Sequence, residues 1–555
     1  MAYTLPVQRR VVVPGQAPLI VVDPRTLVFS PVPQPPLPPV GYLPGAIPAI
    51  ASPAFPGVVV APVALRLNPA SLLRIDEQRT HELIQFMVSE GLVPTPEEDM
   101  KRRDVMEQLK QIVLAWIKLV AGQHGLPEEV ISSTSATILP FGSYGLGVHG
   151  SDSDIDALCI GPSFATLEED FFVVLKNMIQ SRPEVSEVHC VKSAKVPLMR
   201  FKFSGINIDF PYTQLQAISV PEFVDIFDPY LVVLNETSWR SLSGVRANIR
   251  ILQLVPNLKN FQSMLRCIKL WARRRGVYSH LLGFFGGIHL AILAAHVCQR
   301  YPNASISVLI AIFFEYFWLW RWPEPVILQD SSIPFRYPDG RALMPILMPC
   351  SPFEWCNSNI TKSTFTKIKT EFQRGHFLTR DLARPDFDWT FLFKPFPYVE
   401  NYSHFLRILL TAHDGDELRD WAGWVKSRFR SLLLKLEAVQ GYCDPNPTEY
   451  MDHNVAEPNV VFYWGLSPSG CFSTSVDAIK EDFMKSVNKD DTYSAYQGST
   501  CKLDMLIVES CQLPKYIHLD KGSTKELMAC EKILDYSNHM KPIYSQYTPQ
   551  YSGGT

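Results

Sequence analysis

The sequence predicts a multi-domain α/β protein with an α/β domain, a helical middle domain and a smaller C-terminal α+β domain. Four strand patterns and one helical pattern lie between residues 157 and 210. Three helical patterns follow between residues 260 and 318, and two strand patterns flank a helix between residues 460 and 508. At 555 residues the chain is long enough for about two to four such domains.

The first 65 residues differ in composition from the rest of the chain. They contain fifteen of its 45 prolines and only four charged residues. Segments such as Pro31–Pro39 stay extended and cannot pack a core, so we expect residues 1–65 to be a disordered tail. The alternative is a docking segment for a partner that binds proline-rich sequences. Residues 521–555 are predicted to form a second flexible tail.

Regular structure is predicted to begin near Ser71. Helical patterning covers Ser71–Glu90 and Glu97–Gly122. The strands and the helix of the α/β region are predicted at Ala157–Ile160, Leu167–Gln180 (helix), Glu187–Val191, Leu198–Phe203 and Ile206–Phe210.

The middle and C-terminal regions follow the α/β region. The middle helices are predicted at Asn260–Arg275, Gly283–Cys298 and Ser305–Trp318, before a loop-rich segment at residues 323–352. The C-terminal elements are predicted at Glu417–Leu436 (helix), Val460–Leu466 (strand), Val476–Ser486 (helix) and Leu503–Val508 (strand). The apolar run Leu281–Cys298 contains two histidines and a glycine pair, so we predict a buried helix and no membrane span.

The overall charge and the cysteines exclude some classes of protein. A net charge of −3 argues against a protein that coats nucleic acid, but it allows a local basic groove. The 11 cysteines are scattered without a Cys-x-x-Cys pair, which is typical of reduced thiols and gives no sign of a zinc site.

Two acids separated by one residue are the strongest chemical signal. Asp154 and Asp156 precede an apolar strand and follow a Gly142-Ser143 turn. Side chains at i and i+2 of a strand point to the same face, about 6.5–7 Å apart, where they can bridge two divalent cations. The turn can offer a hydroxyl and backbone N–H groups to a phosphate. These parts suit the transfer of a nucleoside monophosphate from a triphosphate to a hydroxyl.

A third carboxylate is expected to complete the cation site. Asp209 lies on the hydrophobic strand after Gly205, where an ionised aspartate without a partner would be costly. We therefore predict that Asp209 binds metal with Asp154 and Asp156. Asp152 is predicted to lie in the turn before the strand, without a metal role.

A basic helix provides a second group of candidate residues. Arg266, Lys269 and Arg273 are three and four residues apart and share one helix face. The flanks of Lys269 are apolar, which indicates a packed stem and a head that can neutralise triphosphate oxygens. We expect Arg274 and Arg275 to lie on a solvated face instead.

Further candidates follow this helix. Tyr278 can donate its hydroxyl to a phosphate, Gly287 permits close approach of a base, and Ile288 can pack on that base. A helix-packing role for the glycines is nearly as plausible. His149 and His289 are predicted to be structural, because two-metal chemistry needs no histidine base.

At these residues the chain resembles the eukaryotic, plant-like poly(A) polymerases of mRNA 3′-end processing, within the nucleotidyltransferase superfamily. The similarity runs from about Leu67 to Pro349 and more faintly to about Leu513. It depends on ordered motifs, among them Phe141-Gly-Ser-Tyr144, Asp154-Ile-Asp-Ala-Leu-Cys159, Ile208-Asp209, Ile268-Lys-Leu-Trp271, Val277-Tyr-Ser279, Gly286-Gly287 and Tyr301-Pro-Asn-Ala304.

The resemblance implies a fold and a set of site residues. It implies a polymerase-beta-like nucleotidyltransferase domain at residues 105–216 and a middle domain at 217–348 with a helical segment at 66–104. It further implies an RNA-recognition-motif-like, RNA-binding domain at 349–520. Two Mg²⁺ or Mn²⁺ ions would bind the three aspartates. The ATP site would comprise Phe141, Gly142, Ser143, Ser153, Asp154, Asp156, Asp209, Lys269, Tyr278, Gly287 and Ile288.

Three positions depart from the family pattern. His289 and Leu290 replace a small polar residue and tryptophan, and Ser243 replaces the usual asparagine. Because the family pattern puts these positions near the base or the primer, the departures bear on nucleotide selectivity.

We expect a template-independent polymerase that adds AMP from ATP to RNA 3′ ends. A terminal uridylyltransferase, a CCA-adding enzyme and a catalytically weak RNA-binding paralogue are the alternatives. RNA is expected to contact a basic groove formed by Lys195, Arg200, Lys202, Arg266 and Arg273. The resemblance implies a monomer that works with the cleavage and polyadenylation machinery in the nucleus. The cytoplasm stays open, since the basic C-terminal extension of many nuclear members is not seen.

Overall fold

The computed structural model describes residues 69–514 and 517, apart from 193, 229–230, 234, 329–341, 352, 357–358, 467–475 and 489–500. Both predicted tails, residues 1–65 and 521–555, and part of the predicted loop-rich segment lie outside the described residues. Within the described part of the chain, no helix combines the length and the apolarity needed to cross a bilayer.

The described residues form helices and strands whose order along the chain follows the domains. The helices are α1 Pro69–Ser89, α2 Pro96–Gln123, α3 Glu128–Ser133, α4 Gly142–Gly145, α5 Lys176–Gln180, α6 Glu236–Leu254, α7 Leu258–Arg274, α8 Gly287–Arg300, α9 Ile306–Leu319, α10 Lys362–Thr379, α11 Tyr398–Asn401, α12 Gly415–Lys426, α13 Phe429–Gln440 and α14 Val476–Asn488. The strands are β1 Thr137–Phe141, β2 Ile155–Gly161, β3 Val185–Val191, β4 Leu198–Phe203, β5 Ile206–Gln214, β6 His404–Thr411, β7 Cys443–Asp444, β8 Asn459–Leu466 and β9 Lys502–Glu509.

The first sheet carries the acidic motif. Its five strands lie in the order β1-β2-β5-β4-β3, with β2 parallel to β5 and the other pairs antiparallel. Side chains of β2 alternate between two buried faces: Ala157 packs in the core with α2, whereas Leu158 and Ile160 pack against Leu242 of α6. Asp156 points to the same face as Leu158, so it lies on the side of the sheet that α6 covers.

The middle helices pack around a large apolar core. Trp271 of α7 is buried against Phe314 of α9 and Phe372 of α10, with ring centroids 5.0 and 5.6 Å away. Helix α1 precedes the first sheet in sequence, but Leu83 and Met87 belong to this same core. The helical layer therefore includes residues from before and after the sheet.

The C-terminal sheet is covered on both faces. Its antiparallel strands lie in the order β7-β8-β6-β9. Phe462 and Trp464 of β8 pack against Phe429 of α13. Val461 and Tyr463, on the opposite face, belong to a separate apolar cluster. The predicted class, an α/β multi-domain protein with a helical middle and a C-terminal α+β domain, is confirmed.

Some predicted elements differ from the structure. The single helix Glu417–Leu436 is wrong, because a turn at Ser427 and Arg428 separates α12 from α13. Helix α8 begins at Gly287 rather than Gly283, whose φ of +82° lies in the left-handed region. Helix α10 was not predicted, because its inward face includes the buried polar residues Lys367 and Glu371. Helix α6 and the strands β1 and β6 were also missed.

Candidate active site

One row of side chains crosses the whole five-stranded sheet. In register, Phe141 is the neighbour of Asp156, Asp156 of Asp209, Asp209 of Arg200, and Arg200 of His189. Register neighbours point to the same face of a sheet. The fold therefore places two acids from strands 53 residues apart side by side, with an arginine and a histidine next to them.

The three predicted aspartates form one cluster. One carboxylate oxygen of each of Asp154, Asp156 and Asp209 lies within 4.8 Å of the other two. Burial raises the pKa of Asp156 to about 7, and the negative charges of Asp154 and Asp209 add to the rise. Carboxylate oxygens are the ligands that Mg²⁺ and Mn²⁺ prefer, and divalent cations would relieve this repulsion. The residues present therefore fit divalent metal ions.

Asp209 has a protein partner. Nε and Nη2 of Arg200 donate hydrogen bonds to its two carboxylate oxygens at 2.8 and 2.9 Å. Asp209 therefore does not depend on a metal ion for its counter-charge, contrary to what the sequence suggests. Its place in the cluster follows instead from its register with Asp156.

The Gly142-Ser143 turn lies against the acids. Gly142 has a φ of +60°, and a Cβ atom there would lie 1.8 Å from Oδ2 of Asp156. The backbone N–H of Ser143 donates to the Asp156 carboxylate and favours its charged form. From α6, the buried side chain of Asn248 donates to the carbonyl of Gly142 at 2.9 Å. The turn is therefore held between the acidic strand and α6.

The loop between this turn and Asp154 is held by two arginines. Arg102 of α2, which is buried, donates to the carbonyls of Ser151 at 2.6 Å and Gly150 at 3.1 Å. Arg266 of α7 donates to the carbonyl of Gly147 at 2.7 Å. Gln262 and the His149–Asp99 pair hold further atoms of the same loop. Apart from Arg266 and His149, these side chains were not singled out from the sequence, because no local pattern marks a contact 48 to 116 residues away.

Lys269, Arg273 and Tyr278 lie near the acids and form what we call the basic wall of the site. Burial lowers the pKa of Lys269 to about 8, and Arg273 also opposes its charge, whereas Asp154 and Asp156 favour it. Burial raises the pKa of Tyr278, whose oxygen accepts a hydrogen bond from Arg273. Gly287 lies beside Tyr278, since a Cβ atom at Gly287 would be 3.4 Å from the Tyr278 hydroxyl. The wall can bind the oxygens of a triphosphate.

One cleft of about 1070 Å³ brings the candidate residues together. All eleven predicted ATP-site residues line it: Phe141, Gly142, Ser143, Ser153, Asp154, Asp156, Asp209, Lys269, Tyr278, Gly287 and Ile288. Four of the five predicted RNA-contact residues also line it: Arg200, Lys202, Arg266 and Arg273. Lys195 is not among the lining residues and lies near His280, where its charge opposes that of the imidazole. The candidate residues, spread over 148 positions of sequence, therefore converge on one site.

The three departures from the family pattern have different positions. Ser243 lines the cleft, and its hydroxyl donates to the carbonyl of Arg240 at 2.6 Å. His289 is buried; its Nδ1 accepts from the N–H of Gly286, and its Nε2 contacts the carbonyl of Cys356. Leu290 is fully buried in the helical core. Of the three, only Ser243 is placed to contact a ligand in the cleft.

The prediction of a solvated face for Arg274 and Arg275 is wrong. Arg275 is buried, and its guanidinium donates to both carboxylate oxygens of Glu371 at 2.7 and 2.9 Å. Arg274 is partly buried and paired with Glu90. The end of α7 therefore packs against α10 and α1 instead of facing solvent.

Three family models match the chain over most of its described length. They are the poly(A) polymerase nucleotidyltransferase domain at residues 69–255, the poly(A) polymerase central domain at 260–395 and the poly(A) polymerase predicted RNA binding domain at 397–459.

Named relatives match over similar lengths. Nuclear poly(A) polymerase 3 of Arabidopsis thaliana is 51% identical over 86% of this chain and 94% of its own length. Nuclear poly(A) polymerase 4 of the same plant is 37% identical over 80% of this chain, and Poly(A) polymerase of Dictyostelium discoideum is 36% identical over 82%. The chain covers 62% and 59% of the lengths of these last two relatives.

A solved structure of a cytoplasmic RNA terminal U-transferase overlaps 58% of this chain and 99% of its own, with 12% identity and a TM-score of 0.41. The identification is based on the sequence matches and on the cleft. The chain belongs to the poly(A) polymerase family, whose members are template-independent polynucleotide adenylyltransferases.

Proposed function

We propose that this protein adds AMP from ATP to the 3′-hydroxyl of RNA and releases pyrophosphate. The observation that carries the proposal is the cluster of Asp154, Asp156 and Asp209 opposite Lys269 and Tyr278 in one cleft of a poly(A) polymerase chain. The acids suit cation binding and the basic wall suits a triphosphate. This pairing is what nucleotidyl transfer requires.

The proposed metal site holds two ions, Mg²⁺ or Mn²⁺, with Asp154, Asp156 and Asp209 as protein ligands. When bound, the ions would lower the pKa of the RNA 3′-hydroxyl and would neutralise the charge that develops on the transferred phosphate. Gly142 lets the turn approach Asp156 closely, and Ser143 supports the charged form of that carboxylate.

The basic wall is proposed to position ATP. Lys269 neutralises triphosphate oxygens, and Tyr278 donates its hydroxyl to a phosphate. Gly287 and Ile288 flank the base, and Phe141 and Ser153 also line the nucleotide pocket. Since burial keeps the Tyr278 hydroxyl protonated, it stays a hydrogen-bond donor at neutral pH.

The charge balance of the cleft links the metal ions to the substrates. Six basic side chains (Arg200, Lys202, Arg266, Lys269, Arg273 and Arg419) face six acidic ones (Glu90, Asp152, Asp154, Asp156, Glu187 and Asp209). The cleft is therefore close to neutral, and two divalent ions would make it strongly positive. Polyanions such as ATP and RNA should then bind more tightly, with RNA along Arg200, Lys202, Arg266, Arg273 and, outside the cleft, Lys195.

We further propose that the protein acts as a monomer in the nucleus, together with cleavage and polyadenylation factors. The names of the Arabidopsis relatives support a nuclear enzyme. Among the described residues of the sheet, only two basic ones, Arg200 and Lys202, line the cleft, so few contacts with RNA phosphates are expected there. We therefore expect weak RNA binding and distributive extension without an accessory factor.

A nucleotide-incorporation assay tests the proposed function. Full-length protein would be incubated with a labelled oligoadenylate primer and each of the four nucleoside triphosphates in turn, with Mg²⁺ or Mn²⁺. We expect extension with ATP, at least tenfold above the other three. Preferred use of UTP or CTP would indicate a different terminal transferase. Primer binding without any incorporation would indicate an RNA-binding paralogue.

A further inference from the structure

The pairing of Arg200 with Asp209 gives Arg200 a role that a plain RNA contact would not explain. The two residues are neighbours on the antiparallel strands β4 and β5 and point to the same face. The guanidinium forms two parallel hydrogen bonds, 2.8 and 2.9 Å long, to the carboxylate. A fork of this kind is stronger and more directional than a single contact.

The Arg200 guanidinium and a metal ion would compete for the same carboxylate oxygens of Asp209. Both oxygens of Asp209 are engaged by Arg200, and a cation bound to Asp209 needs at least one of them. About half of the Arg200 side chain is exposed, against 21% of Asp209, so the arginine is the partner that can move. A positive ion at Asp209 would also repel the guanidinium.

The surroundings of Arg200 limit where its guanidinium can go. Of the neighbouring carboxylates, Glu187 is paired with Lys202 at 2.7 Å and Asp420 with His189 at 3.1 Å. Asp154 and Asp156 favour the charge of Lys269 and also that of Arg200, although Asp156 lies across Asp209 from Arg200 in the sheet. Bound cations would offset the charges of Asp154 and Asp156 as well as that of Asp209. An anion that enters along β4, away from the triphosphate, would then be the new partner of the guanidinium.

We propose that Arg200 is an internal counter-ion of Asp209, and that cation binding transfers its guanidinium to a backbone phosphate at the RNA 3′ end. The inference rests on the proposed function, since it assumes that Asp209 binds a metal ion and that RNA enters the cleft. It adds a coupling between the two ligands: each should raise the affinity for the other by the same factor.

Mn²⁺ titration of the full-length protein without nucleotide tests the coupling. Free Mn²⁺ would be measured by electron paramagnetic resonance, with and without an oligoadenylate ending in a 3′-deoxynucleotide, and corrected for Mn²⁺ bound by the RNA alone. In the wild type, we expect the RNA to increase Mn²⁺ affinity about fivefold or more. A non-hydrolysable ATP analogue in place of RNA distinguishes triphosphate from RNA phosphate, and the Arg200 variant should not change its effect.

Three variants separate the role of Arg200 from general charge. Arg200→Gln should bind Mn²⁺ more tightly than the wild type without RNA and should lose most of the RNA-dependent gain. Arg200→Lys keeps the charge without the fork and should be intermediate. Lys202→Gln is the matched control, because Lys202 lies on the same strand and face but pairs with Glu187. It should weaken RNA binding without changing Mn²⁺ affinity in the absence of RNA.

The outcomes distinguish this inference from the proposed function. Unchanged Mn²⁺ affinity and an undiminished RNA effect in Arg200→Gln would overturn the counter-ion role. If Lys202→Gln lost the coupling to the same extent, the effect would come from the positive charge of the cleft in general and not from the Arg200–Asp209 pair. If wild-type protein bound no Mn²⁺, or bound it equally after Asp156→Ala, the metal site itself would be wrong and both proposals would fall.

Discussion

A Cβ atom at Gly142 would lie 1.8 Å from Oδ2 of Asp156, so the Gly-Ser turn and the acidic strand can approach each other only because residue 142 is glycine. The contact joins the two motifs that the sequence marks most clearly. It also gives Gly142 a role in placing Asp156, the proposed metal ligand, beyond its left-handed backbone.

Gly142→Ala should therefore displace the Asp156 carboxylate and reduce AMP incorporation by about 100-fold or more, a loss of about 3 kcal/mol in transition-state stabilisation. Gly205→Ala is the matched control. Gly205 also has a positive φ, of +81°, but nothing lies within 4 Å of its Cβ position. Both variants carry a backbone strain of about 1 kcal/mol, so similar activities would show that strain, and not the contact, matters.

Lys269→Ala should raise the KM for ATP about tenfold, with a smaller loss of kcat. A positive charge on the triphosphate acts in both the ground state and the transition state, so binding should suffer most. Lys259→Ala is the control, because Lys259 is exposed on the same helix. Steady-state kinetics would decide: unchanged values for Lys269→Ala would mean that Lys269 does not contact ATP.

Glu371→Ala should lower the free energy of unfolding by about 3–5 kcal/mol, because it leaves the buried guanidinium of Arg275 without its charged partner. Glu236→Ala breaks an exposed pair with Arg240 and should change stability by less than about 1 kcal/mol. Denaturant unfolding followed by tryptophan fluorescence would measure both. Equal, small effects would contradict the importance of the buried pair.

Acid should destabilise the protein through its buried histidines. Burial lowers the pKa of His289 and of His296 to about 4. In the unfolded chain both protonate near pH 6.5, so below about pH 6.5 the unfolded state binds more protons. The stability present above that pH should be lost progressively as the pH falls to about 4.

His289→Gln tests this pH dependence, since the amide can keep the bonds to Gly286 and Cys356 without titrating. The difference in Tm between about pH 7.5 and about pH 5.5 should become smaller in this variant. His413→Gln, at an exposed position, should leave the difference unchanged. An unchanged difference in His289→Gln would mean that this histidine does not contribute.

Local patterns predicted the parts of the site that lie close together in sequence. Asp154 and Asp156 precede an apolar strand, and Lys269 is surrounded by apolar helical neighbours, so short-range periodicity was sufficient. The resemblance to poly(A) polymerases added Phe141 and Ser153 to the predicted ATP site. The proposed roles of all these residues, and the predicted domain boundaries, stay predictions that the experiments above address in part.

Contacts between distant segments could not be predicted from those patterns. Arg102 and Asn248 look like ordinary helix residues, and only the fold brings them to the backbone of the loop before Asp154 and of the Gly-Ser turn. Arg275 was assigned to solvent because its neighbours in sequence are basic. Its partner Glu371 is 96 residues away, on a helix whose buried polar residues conceal its periodicity.

The most direct test of the central claim compares Asp156→Ala with Asp152→Ala in single-turnover AMP incorporation, with saturating ATP and oligoadenylate primer. Both aspartates line the cleft, but only Asp156 belongs to the carboxylate cluster. We predict that Asp156→Ala loses about 10³-fold or more in rate while its Tm stays near that of the wild type, and that Asp152→Ala stays within about threefold. An Asp156→Ala enzyme within tenfold of the wild type, or equal losses in the two variants, would contradict the account.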